Sequence, residues 1–147
     1  MKGYPRAFAG VLYTTLLALL VSGLLLAPTT LDLRFELSMP WRLAGSDRVL
    51  TAALHVGMSY LLLMLFGAVT QLHVRMGLRR RSNRFAGWSL ISLLLVLSVS
   101  GVAVFYLGDE TAMRYATGTH LLVGTLLPLI LVIHVLVGRA VTKLRAH

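Results

Sequence analysis

The 147 residues are 57% hydrophobic and only 13% charged, which excludes an ordinary soluble domain and fits a polytopic membrane protein of one domain. With no cysteine, the chain forms no disulfide, ligates no iron–sulfur cluster and attaches no c-type haem. The formal charge of +9 would suggest nucleic acid in a soluble protein, but here the basic residues flank apolar runs without aromatic interleaving. They read as topology signals, and nucleic acid is not an expected partner.

Met1 to Gly10 is short and basic, with Lys2 and Arg6, and Val11 to Ala27 is almost purely apolar up to Pro28. A signal-peptide cut after Ala27 would want a small residue three positions earlier; Leu25-Leu26-Ala27-Pro28 lacks one and places proline after the cut. An uncleaved first helix is expected over about 7–27, followed by an outer loop over 29–48. Within that loop Leu31-Asp32-Leu33-Arg34-Phe35-Glu36-Leu37 alternates apolar with charged, which predicts a short strand or an extended strip at the surface. It serves as an ordinary interfacial loop or as a docking strip for a partner, with Trp41 at headgroup level. The second span, about 49–74, exceeds the ~20 residues that a membrane crossing needs. It ends in a basic inner loop, 75–85, whose Arg75, Arg79, Arg80, Arg81 and Arg84 make a stop signal and a surface anchor.

A third span over 86–107 carries Trp88 and Tyr106 near its ends as interfacial aromatics. Its Ser98, Ser100 and Gly101 are small enough to let a neighbouring helix, or a flat macrocycle, come close. Gly108-Asp109-Glu110 then turns the chain ahead of Arg114, Tyr115 and a fourth span over 116–139. No internal repeat is convincing from the sequence. The expected fold is all-α: an up-down four-helix transmembrane bundle.

The charges orient it. All but four of the 14 lysines and arginines fall on the side of Lys2, Arg6, the basic loop, Arg139, Lys143 and Arg145. The opposite side holds Arg34, Arg42, Arg48 and Arg114 with every acid in the chain: Asp32, Glu36, Asp47, Asp109 and Glu110. By the positive-inside rule both termini are cytoplasmic.

Four histidines lie in two of the spans: His55 and His73 in the second, His120 and His134 in the fourth. Residues fourteen apart on a helix stand about 40° off a common face and about 21 Å apart, while eighteen residues is five turns, about 27 Å. Each of the two spans therefore presents one imidazole near each end on one side. Ionisable side chains inside a membrane span point to function, and imidazole is a common axial ligand of haem iron. In an up-down bundle the second and fourth helices are diagonal neighbours. The expected ligand pairs are His55 with His120 at an outer level and His73 with His134 at an inner one, the inner pair being offset by about four residues, or about 6 Å. Without cysteine, such haems would be b-type. Gly57, Gly67, Gly101, Gly118 and Gly124 offer space near the planes; Arg48, Arg114 and Arg42 suit outer propionates, and Arg75, Arg79 or Arg139 inner ones. Met58, Met64 and Met76 read as packing residues and His147 as a solvated tail residue.

From Val49 onward the chain resembles the bacterial four-helix di-haem cytochrome b proteins, which include the membrane b-type subunits of formate dehydrogenases and nickel–iron hydrogenases. The likeness rests on Leu54-His55-Val56-Gly57, on Ser100-Gly101, on Tyr106 to Glu110, on His120-Leu121-Leu122-Val123-Gly124, and on His134 to Arg139, thirteen residues separating His120 from His134. It implies two haem b groups and electron transfer across a bacterial-type inner membrane, often between a quinone pool and a redox partner subunit, here at the outer face. Some members take a ligand from the first helix, which has no histidine here. No nucleophile–base set or phosphate loop is evident, so a redox subunit is expected rather than a complete enzyme. Two other readings stand beside it: a single-haem cytochrome using only the outer pair, and a haem-free anchor or assembly subunit whose histidines bond between helices. A metal transporter is disfavoured, since the first and third spans carry no acid or histidine at midplane.

Overall fold

The computed structural model describes residues 6–71 and 84–144, with side chains over 7–71 and 85–140. The described chain is helical, with α1 Arg6–Phe35, α2 Gly45–Val69, α3 Arg84–Tyr106 and α4 Glu110–Leu144. Each is long and apolar enough to cross a membrane: Ala7–Phe35, Gly45–Val69, Phe85–Tyr106 and Glu110–Ala140 run to 29, 25, 22 and 31 residues, against about 20 required. The protein is thus an all-helical, multi-pass candidate. α1 packs on α2 and α3 on α4, within two compact units, Met1–Leu72 and His73–His147.

In the first hairpin α1 runs on past the end of its apolar stretch. It passes through Pro28 and stops at Phe35, so Leu31 to Phe35 is helical where an extended strip was expected. Five alternating residues decide little, because Leu31, Arg34 and Phe35 also stand at helical i, i+3 and i+4. Pro28 lacks the N–H that would bond the Leu24 carbonyl, an omission that membrane helices tolerate. Glu36, with φ +57°, turns the chain out of the helix, and the Leu37 N–H reaches back to the Leu31 carbonyl at 3.3 Å. The connection is then pinned to α1 at two places. Thr29 Oγ1 donates to the Leu43 carbonyl at 3.1 Å, and Arg42 pairs with Asp32.

The second hairpin turns more tightly. Only Leu107 to Asp109 separate α3 from α4, and Asp109 caps α4, its Oδ1 accepting from the Ala112 N–H at 2.7 Å. Glu110 in the first turn of α4 adds a favourable charge at the helix N-terminus and accepts from Arg114 at 2.9 Å.

The packing is the reverse of a water-soluble protein's. Among the described residues the buried side chains are mostly small and hydroxylated, namely Thr15, Thr29, Ser100 and Thr117, joined by Leu62 and Ala86, while Leu17, Leu95 and Leu122 are more than 60% exposed. Lipid gives apolar side chains no reason to leave the surface, so small residues take the seams where helices meet. Three of those hydroxyls donate one turn back along their own helix: Thr15 to the Val11 carbonyl (2.8 Å), Ser100 to Val96 (2.7 Å) and Thr117 to Met113 (2.8 Å).

Asp109→Ala removes the α4 cap and is expected to cost about 1 kcal/mol of stability, while Asp109→Asn, which keeps an accepting oxygen, stays near wild type. Denaturant unfolding of the detergent-solubilised chain reads both.

Candidate functional site

The three histidines among the described residues all lie in hairpin seams. His55 stands on α2 against α1, and its Nδ1 is 2.8 Å from Ser22 Oγ. His120 stands on α4 against α3, its Nδ1 3.0 Å from Ser100 Oγ. Each serine hydroxyl also lies 2.7 Å from the carbonyl one turn back, Ala18 for Ser22 and Val96 for Ser100. The Leu97 carbonyl, 3.3 Å from Ser100 Oγ, is a further backbone partner of the His120 ring.

The residue after each serine is a glycine that makes room for the ring. A Cβ at Gly23 would stand 3.2 Å from Cε1 of His55, and one at Gly101 would stand 3.2 Å from Cε1 of His120. Both approaches are tighter than van der Waals contact between carbons normally allows. His134 sits one level along α4. Its Cε1 lies 3.9 Å from the Cβ position of Gly87, so the two imidazoles of α4, fourteen residues apart, seat against glycines of α3 that are themselves fourteen residues apart. That register follows from antiparallel helices with equal rise, and it puts both rings on one side of α4.

The remaining expected residues are less closely placed. His73, with Arg75, Arg79 and Met76, lies outside the described residues. Arg48 is exposed in the first turn of α2, and Arg114 is exposed and paired with Glu110. Arg42 is engaged with Asp32. Gly57 and Gly67 have nothing within 4 Å of an added Cβ, and Gly124 meets only Leu97 at 3.7 Å, so among these glycines the tight seats are at Gly23 and Gly101. Sequence reasoning passed over Ser22 and Gly23, although Val21-Ser22-Gly23 repeats Val99-Ser100-Gly101 residue for residue.

Among the described residues no three histidine, aspartate or glutamate side chains converge on a point. Haem asks less of the chain, one axial imidazole from each side, and metal-bound histidines characteristically have their second ring nitrogen held by an oxygen. His55 and His120 meet that description through Nδ1, which leaves Nε2 as the nitrogen to ligate. Comparison with protein-family models, curated proteins and solved structures finds no match for the chain.

The glycine seats make opposing predictions. Gly→Ala inside a helix gains about 1 kcal/mol of helix propensity. Gly87→Ala meets only ordinary contact and is expected to keep that gain, whereas Gly101→Ala presses a methyl on His120 and is expected to be neutral or destabilising. Thermal unfolding of the two variants in one detergent gives the order.

Proposed function

We propose that the chain carries electrons across a bacterial-type inner membrane as a four-helix di-haem cytochrome b. Bound haem supplies a one-electron iron couple, and filled axial positions suit electron transfer rather than substrate binding. His55 on α2 and His120 on α4 are the ligands at the outer level, His73 and His134 at the inner one, with the haems lying between α2 and α4 of an up-down bundle. The observation that carries this reading is the common seat of the imidazoles. His55 and His120 each have Nδ1 at a serine hydroxyl and Cε1 over a glycine, and His134 repeats the glycine seat one level away.

The other side chains take their roles from their places. Arg48 and Arg114 stand in the early turns of α2 and α4 and suit outer propionates; Arg114 would then exchange Glu110 for the cofactor. Both termini lie on the cytoplasmic side, where the basic residues collect, and a redox partner subunit docks at the acidic outer face. Quinone is the expected membrane-soluble reactant. The chain acts as a redox subunit of an oxidoreductase complex.

One observation favours a second reading. The same serine–histidine contacts join α1 to α2 and α3 to α4, which is what a haem-free anchor or assembly subunit would ask of its histidines.

Colour separates the two. The full chain, produced with haem supplied and purified in detergent, is expected to give a b-type reduced-minus-oxidised spectrum. Pyridine extraction is expected to return about two haems per chain, with His55→Ala and His134→Ala each removing a different one. A colourless protein sinks the cytochrome reading, and a single haem lost in His55→Ala but kept in His134→Ala reduces it to the outer pair.

A further inference from the structure

We infer that Ser22 and Ser100 are positioning residues that fix His55 and His120 in the Nδ1–H form and so present Nε2 as the ligating nitrogen. The inference rests on the haem reading for its consequence but not for its geometry. A serine hydroxyl has one hydrogen. In each hairpin that oxygen lies 2.7 Å from the carbonyl one turn back, Ala18 or Val96. Two oxygens at that distance with no hydrogen between them repel, so the hydroxyl hydrogen belongs on the carbonyl. The same oxygen lies 2.8 Å from Nδ1 of His55, or 3.0 Å from Nδ1 of His120, and it has only lone pairs left to offer. Nδ1 therefore donates.

A neutral imidazole with its hydrogen on Nδ1 carries its lone pair on Nε2, the far side of the ring from the serine. The glycine beside each serine acts on the same ring. A Cβ at Gly23 or Gly101 would press on Cε1 at 3.2 Å, so the tripeptide Val-Ser-Gly sets both the tautomer and the depth of the ring. The arrangement occurs twice, on different helix pairs and with different loop lengths, which a chance contact would not explain. At His134 the pattern changes: the residue before Gly87 is Ala86, which has no hydroxyl.

An acceptor at Nδ1 makes the imidazole a stronger electron donor and favours the ferric over the ferrous ion. Loss of such a partner typically weakens metal binding 10–100-fold. A tenfold loss confined to the ferric state raises a one-electron midpoint by about 59 mV.

Two measurements on the full chain test this. The first needs no haem: ¹⁵N spectra of histidine-labelled protein in detergent are expected to show His55 and His120 as Nδ1–H tautomers. Ser22→Ala should release His55 alone, and Ser100→Ala should shift His120 alone and less far, since the Leu97 carbonyl stays beside that ring, with Ser100→Thr restoring the wild-type signal. The second is a redox titration of haemin-loaded protein, in which Ser22→Ala and Ser100→Ala are expected to raise the same one of two waves while Ser100→Thr leaves it in place. Nε2–H tautomers in the wild type, or tautomers indifferent to both alanine changes, overturn the inference whether or not haem binds. A protein that takes up no haemin yet shows the serine-dependent tautomers overturns the cytochrome reading and leaves the serine assignment standing.

Discussion

A hydroxyl inside a membrane helix has to give its hydrogen to something, and at Thr15, Ser22, Ser100 and Thr117 it gives it to the carbonyl one turn back along the same helix. That local choice governs how the helices of each hairpin meet. An oxygen whose hydrogen is already committed can only accept, and at Ser22 and Ser100 the group waiting to donate is an imidazole from the neighbouring helix. The contact ties two helices together without leaving a buried polar group unsatisfied; among the described residues there is no buried side-chain nitrogen or oxygen without a partner. In lipid this matters more than apolar packing, because the tails compete for apolar contacts as well as any leucine does.

The number and approximate place of the spans were legible in the sequence because hydropathy reports the membrane crossing directly. The helix ends were not, for the same reason. α4 was expected over 116–139, yet it begins at Glu110 and continues to Leu144, since Asp109 caps it and nothing in Thr111 to Tyr115 breaks it. Hydropathy sees the part of a helix that lies in hydrocarbon, about 30 Å or 20 residues, and is blind to the turns that project beyond it. The same blindness placed the end of α1 at Ala27, where the apolar stretch stops, although the helix passes Pro28 and ends at the left-handed Glu36.

The histidines were legible as positions, because a fourteen-residue spacing on a helix dictates a shared side. Their seats were not, since a seat belongs to the partner helix and its register. Ser100 and Gly101 drew notice for small size and as part of the family likeness, and the hydroxyl's part depended on a ring twenty residues away in sequence. Ser22 is thirty-three residues from His55, across a nine-residue connection that the sequence does not count in register. Glycines on the histidine helices behave differently from those facing them: Gly57 and Gly67, read as space for a macrocycle, have open space beside them, while the glycines in tight contact belong to the facing helices, at Gly23 and Gly101.

The two hairpins share a plan that their sequences hide. His55 stands ten residues after Gly45, the start of α2, and His120 ten residues after Glu110, the start of α4. What differs is the approach. α1 runs thirteen residues beyond Ser22 and needs nine more to reach α2, while α3 runs six beyond Ser100 and needs three. That difference of thirteen, seven in the helix and six in the loop, accounts for the two serine–histidine separations of 33 and 20. An alignment without gaps cannot see such a repeat, although the Val-Ser-Gly tripeptides mark it. The register also runs on within the second hairpin: Gly101 lies against His120 and Gly87 against His134, so a fourteen-residue step on α3 matches a fourteen-residue step on α4 and the two rings share one side of that seam.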